Sequence, residues 1–339
     1  MTCSFTCFIR AMALVALPLA ACSLHAQPQA QPQGSTFPVY VAPNARADLS
    51  AAPKGGEPLS FKSLQSDGAE LMVPGVLYRP SGPARGAVVI VNAGVGWSDA
   101  REGNYGRALS SAGYAVLLID TFSPRLISNT AQDNTKLSAQ AQVRDAFAAR
   151  RYLISLGYAS DRTAVMGTGR GGLISLIAAE SAFAKDATDR FALAIAVTPG
   201  CFLVPRAPVA RVFMAIAERD DMGGAGRCQE VLREYGAVGM HVEAKTYPNA
   251  SSGFDGHQMF TLAQRDDFVE NFSNCRLVIE PDSRFAFQGK TYDEAGFGSL
   301  VREMRKSCMK LGGWIWTNPT QKANLTLDVI GFLDANFRK

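Results

Sequence analysis

Histidine is nearly missing from this chain: 339 residues hold three, at positions 25, 241 and 257. Chemistry that needs an imidazole base therefore has few candidates. No G-x-S-x-G or G-x-C-x-G stretch occurs either, which removes the usual nucleophile elbow with its serine or cysteine. No two cysteines stand in C-x-x-C spacing, so no metal site is expected. Charge of one sign is not in excess: the net charge is +4, with no block of like charges, and nothing suggests nucleic acid as a partner. Apolar runs are too short to span a membrane as a stable helix.

What is present begins with a targeting signal. Arg10, the apolar stretch "AMALVALPLA" and the small residues before Cys22 read as a leader over residues 1–21. "LAAC" resembles the lipobox of bacterial lipoproteins, which implies cleavage before Cys22 and lipid on that cysteine. Ser23 in the next position, by the same resemblance, implies the outer membrane, facing the periplasm. Residues 22–36, rich in Gln, Pro and Ala, have no apolar period and read as a flexible tether, so His25 is not expected to do chemistry. The remaining residues, 37–339, are long enough for one large α/β domain.

Seven cysteines are present. Cys3 and Cys7 leave with the leader and Cys22 is the lipid site. Cys201, Cys228, Cys275 and Cys308 remain, an even number in an oxidising compartment. Three pairings are open; the favoured one, Cys201–Cys228 with Cys275–Cys308, closes the local loops.

The spacing of apolar residues predicts a hairpin around Asp67-Gly68 and buried strands at 86–92, 114–120, 163–167, 191–197 and 211–218, with a last strand at 241–247. Helices are expected near 100–112, 136–156, 168–182, 226–236 and 325–336. Alternating strands and helices imply a mostly parallel, doubly wound sheet with right-handed crossovers. Residues 255–320 are less regular and read as an insertion pinned by Cys275–Cys308.

The stretch "AVMGTGRGGLISL" poses the functional question. Gly167, Gly169 and Gly172 match G-x-G-x-x-G, the dinucleotide fingerprint. That loop belongs after the first strand of its unit, with an acid about 20 residues on. Here it follows roughly the fifth strand and no such acid appears, so no cofactor is expected. The same stretch also fits a nucleophile elbow whose central residue is Gly169. "AERDD", at the end of a later buried strand, and "TYPNASSGFDG", after the last one, then stand where the acid and histidine of a Ser…Asp…His order belong.

Together with "SDGAELMVPGVLYRPSG", "GYAVLLIDTFSPR" and "AERDDMGGAGRC", these pieces resemble the dienelactone hydrolase family over roughly residues 57–337. The resemblance implies an α/β-hydrolase fold and hydrolysis of esters or lactones. It carries the nucleophile position onto Gly169, the acid onto Asp220 and the histidine onto Ser252, so two of three triad members are absent. His-Gly after the third strand becomes Asn92-Ala93. Cys201 and Cys228 fall where extracytoplasmic relatives carry cysteines.

Three readings follow. In the first, the chain is a triad-less lipoprotein, a pseudoenzyme of the family. It binds a ligand or partner through the frame: the Arg170 N–H, the Gly94–Val95–Gly96–Trp97 loop as oxyanion hole, and Arg125 as a second clamp. The N-terminus of the helix at 170, with the Arg170 cation, makes a small anion or carboxylate the expected ligand. In the second, it is an active hydrolase with a non-standard set: His257 as substitute base, Ser98 and Asp220. Ser98 has a plainer role as a helix N-cap. In the third, it is a structural lipoprotein with a vestigial pocket.

Overall fold

The computed structural model describes residues 53–184, 186, 188–256 and 262–337. The leader, Cys22, the tether and His257 lie outside the described residues.

Two strands, β1 (Glu57–Leu64) and β2 (Glu70–Tyr78), pair antiparallel around Asp67-Gly68, with Glu57 opposite Leu77. The chain then alternates: β3 (Ala87–Val91), α1 (Asn104–Ser111), β4 (Ala115–Ile119), α2 (Ala139–Ser155), β5 (Thr163–Thr168), α3 (Arg170–Ala178) and β6 (Leu193–Val197). A two-residue strand, β7 (Leu203–Val204), precedes β8 (Arg211–Ala217), α4 (Ala225–Ala237) and β9 (Val242–Tyr247). These strands, β7 apart, form one sheet in the order β1-β2-β4-β3-β5-β6-β8-β9, parallel from β4 onward. Helices connect most of its parallel strands, which is the mostly parallel arrangement the alternating pattern predicts.

The continuous apolar runs are explained by burial on both faces. Val89 and Val91 of β3 pack with Ile174 of α3 and Val143 of α2. Val88 and Ile90 point to the other side, into the cluster of Leu109 and Val329. Side chains alternate along a strand, so each strand feeds both cores.

Residues 255–320 hold more regular structure than the sequence suggests. β10 (Gln264–Asn271) pairs antiparallel with β14 (Lys310–Ile315). β11 (Leu277–Ile279), β12 (Phe285–Phe287) and β13 (Lys290–Tyr292) make a second small sheet that recruits β7, and α5 (Phe297–Ser307) follows it. Strands of three residues are too short to show a period, which is why the sequence hides them. The closing helix α6 spans Pro319–Phe337, longer than expected. Both favoured disulfides form, Cys201–Cys228 and Cys275–Cys308. Among the described residues no helix is long and apolar enough to cross a membrane.

Candidate functional site

The ladders align the strand ends at one edge. Val91 faces Gly167, Thr168 faces Val197, and Ala217 faces Tyr247. Ligands of open α/β sheets bind at this carboxyl edge.

At its centre β5 turns into α3 through Gly169. Its φ is 56° and its ψ −114°, a conformation that side chains rarely adopt. The Gly169 N–H donates to Val197 O at 2.8 Å, and Gly169 O receives the Leu173 N–H. A Cβ placed on Gly169 would meet nothing within 4 Å. The turn therefore keeps the strained shape of an elbow and leaves room for a side chain it lacks. Gly171 has a different reason for being glycine. A Cβ there would lie 2.5 Å from Val91 O, so α3 packs directly against the end of β3.

Beside the elbow, the first N–H groups of α3 have no intrahelical partner. The loop 93–97 runs next to β3's end. Gly94 O accepts the Thr130 N–H at 2.8 Å, and Ala93 bridges to Gly96. Val95 is exposed, whereas Trp97 is buried in the core with Ile90 and Tyr105. The Trp97 side chain is therefore a core one, and the 93–97 loop offers a ligand backbone and not this ring: a large apolar ring gains most by leaving water.

Asp220 follows β8. Its Oδ1 receives the N–H groups of Met222 (2.9 Å) and Gly223 (2.8 Å). Burial of its side chain pushes the carboxyl up to about 6, against the pull of those two donors. Arg219 N–H donates to Ala250 O at 2.8 Å, which holds the acid loop against the loop of Ser252. Ser252 itself bridges to Ile315. The neighbouring Ser251 Oγ bonds both the carbonyl and the N–H of Trp316.

Two expected ligand clamps have other work. The Arg170 guanidinium donates to Gln142 Oε1, to Asn134 Oδ1 at 2.5 Å and to Leu137 O at 2.6 Å. Enclosure pushes it down to about 10. Its cation pins the 134–142 segment and is not free for an anion at the helix end. Arg125 makes a bidentate pair with the buried Asp145, at 2.7 and 3.1 Å, and also reaches Thr121 O and Gln65 Oε1. It is a structural residue because that carboxylate, taken out of water, needs a partner. Ser98 caps the turn Asp99–Gly103, its Oγ receiving the Arg101 N–H at 3.2 Å. Asp99 turns away to Arg107 and the Lys54 N–H.

Several contacts at this edge had no signal in the sequence. Asn134, which holds Arg170, also donates through its N–H and Nδ2 to Glu270 Oε2, and Arg305 pairs with the same carboxylate. The inserted strands are thus tied to the elbow through side chains. Thr168 Oγ1 donates to Asp255 Oδ2 at 2.6 Å, and Tyr105 donates to the same oxygen at 2.9 Å. Asp255 is fully buried. These partners lie 87 and 150 residues apart in the chain. No local pattern announces them. Among the described residues no cluster of His, Cys, Asp and Glu could hold a metal ion.

A family model described as the dienelactone hydrolase family matches residues 73–263, over half of the chain. Among solved structures, the dienelactone hydrolase-like promiscuous phosphotriesterase P91 from metagenomic libraries is similar, with a TM-score of 0.52 at 13% identity over 83% of this chain and 99% of that one. A putative dienelactone hydrolase from Klebsiella pneumoniae subsp. pneumoniae gives 0.47 at 17% identity, over 58% of this chain and 88% of that one. Esterase 2 of Thermogutta terrifontis phosphorylated by paraoxon gives 0.47 at 16%, over 59% and 85%. At these identities the likeness is one of fold. No curated protein matches the chain.

Proposed function

This chain belongs to the dienelactone hydrolase family, and on that premise we propose that it has kept the hydrolase frame, lost the hydrolytic triad and acts by binding a small molecule at the elbow. The observation that carries this reading is Gly169. Its backbone holds an elbow conformation, with open space where the nucleophile's Cβ would stand. Neither a nucleophile at 169 nor an imidazole at 252 is present to form and resolve an acyl intermediate. What persists is the acid position, the helix N-terminus and the loop 93–97, enough to hold a ligand but not to transfer its acyl group. We place the chain on the periplasmic face of the outer membrane, tethered by lipid at Cys22. The lipobox-like "LAAC" supports that placement.

Hydrolysis of p-nitrophenyl acetate tests the reading. Wild type is expected to match both the Asp220→Ala variant and a buffer blank. The double variant Gly169→Ser/Ser252→His is expected to gain about 100-fold or more over wild type, since a positioned base is worth that much. Turnover by wild type that Asp220→Ala abolishes would sink the proposal and direct attention to His257. Lipidation is tested by metabolic labelling with palmitate: the label should be present in wild type and lost in Cys22→Ser.

A further inference from the structure

β9 closes one side of the main sheet. β8 pairs with it along one edge, and among the described residues no strand pairs with the other. Its middle residues, Glu243, Ala244, Lys245 and Thr246, are all exposed. Besides the ladder with β8, the backbone of this strand makes one described hydrogen bond, at its very end: the Glu218 N–H donates to Tyr247 O at 3.1 Å. The outward N–H and C=O groups of the middle residues are therefore left to solvent.

Free edges of this kind are usually blunted by a proline, a bulge or a lysine that stands out from the strand. Val242–Tyr247 contains no proline, and its register with β8 runs without a shift. The one lysine is turned onto α6. Lys245 Nζ meets Asp328 at 2.7 Å and lies 5.6 Å from the centre of the Tyr247 ring. Within the sheet α6 packs mainly on β6 and β8, so it does not overhang the edge. Leu327, beside Asp328, is 67% exposed and adds apolar surface next to it.

The pleat restricts what can pair with this edge. Glu243, Lys245 and Tyr247 point to the α6 face, and Val242, Ala244 and Thr246 to the other. Two copies that meet edge to edge and antiparallel are related by a two-fold axis perpendicular to the sheet. Such an axis keeps each face on its own side, so facing residues must share a face and the axis must pass through a residue. An axis at Ala244 pairs residues 242–246 of each copy, and one at Lys245 pairs residues 243–247; any other position pairs a shorter stretch. The second sets Lys245 against its own copy. The first sets Glu243 against Lys245 of the second copy, twice over by symmetry. Opposite charges in facing positions stabilise and like charges destabilise, by about 0.2–1 kcal/mol each. Glu243 has no ion pair or hydrogen bond among the described residues, and the Lys245 ammonium has three donors to share with Asp328.

We propose that this edge is a homodimer interface, in which two copies of the chain pair antiparallel through Val242–Tyr247 about a two-fold axis at Ala244. The main sheet then runs on from one subunit into the next. Six strand residues a side fall well short of the roughly 20–30 of a standard interface, so the dimer is weak and reversible. The inference is independent of what the elbow binds.

Sedimentation velocity of the full chain from about 1 to 100 μM, the range in which a small interface assembles, tests it. Wild type should pass from monomer to dimer. Glu243→Lys and Lys245→Glu should each weaken association about tenfold or more, because both symmetric pairs turn from attraction to repulsion. An equimolar mixture of the two variants should dimerise again, since every facing pair is then of opposite charge. If Lys245→Glu does not fold beside Asp328, hydrogen exchange decides: amides of residues 242–247 should slow with rising concentration in wild type and not in Glu243→Lys. A wild type that stays monomeric overturns the proposal. So do variants that dimerise as wild type does, a mixture that stays monomeric, or exchange in β9 that ignores concentration.

Discussion

The backbone N–H of Trp314 donates to Asp221 Oδ1 at 2.9 Å, across 93 residues of sequence. Two further contacts reinforce it: Asn271 Nδ2 donates to Asp221 O at 2.9 Å and to Gly312 O at 3.2 Å. The ribbon of β10 and β14 thereby grips the loop that carries Asp220. Replacing Asp221 by Ala should cost about 1 kcal/mol, because the Trp314 side of the contact is partly exposed and water can take the N–H. The sharper effect should be local. Limited proteolysis should cut within residues 262–316 several times faster than in wild type, and equal cleavage rates would show that the ribbon is held by its other contacts.

Glycines of one motif should respond in opposite ways. Gly169→Ser meets no atom within 4 Å and bears only the strain of its positive φ, about 1–3 kcal/mol. It should fold and melt cooperatively. Gly171→Ser would drive a Cβ to within 2.5 Å of Val91 O, backbone that cannot move aside without breaking the sheet. It should give little soluble protein. Circular dichroism melts of the two variants decide, and comparable stabilities would contradict the packing of α3 on β3.

Asp220 should make stability depend on pH. Burial raises its folded-state value to about 6, above the ordinary unfolded value near 3.9. The native chain thus holds the proton more tightly than the unfolded one. That contribution is complete below about pH 4 and is lost as pH rises through about 6. Asp220→Asn, neutral throughout, does not lose it. From pH 4 to pH 7 the difference in unfolding free energy should move in the variant's favour by about 2 kcal/mol. Urea denaturation at pH 4, 5.5 and 7 reads this directly, and a constant difference would refute the burial argument.

Arg125 should matter for stability and not for ligand. Its partner Asp145 is fully buried and also receives the Ser63 hydroxyl at 2.6 Å. Arg125→Ala leaves that carboxylate without its cation and should cost about 3–5 kcal/mol. Urea denaturation of the variant reads this cost, and unchanged stability would refute the pairing of Arg125 with Asp145.

Much of this molecule is legible along the chain, because its main determinants are local. A parallel strand covered on both faces must be apolar throughout, so "AVVIV" and "AVLLI" announce β3 and β4. The glycines of "GTGRGG" mark a sharp strand-to-helix turn with backbone packed against backbone, and the Asp-Gly of the first hairpin marks its turn. That position 169 has no side chain and position 252 has no imidazole is likewise a matter of residue identity alone. Only the tertiary structure decided where the long side chains go. Arg125 and Arg170 look from the sequence like free cations near a site; their partners Asp145, Gln142 and Asn134 come from elements that meet only in the folded chain. The same holds for Asp255 under the elbow and for Glu270 on the ribbon. A flexible side chain of several rotatable bonds takes whichever buried partner the fold brings within reach, and that choice leaves no period, turn signal or spacing for the sequence to display.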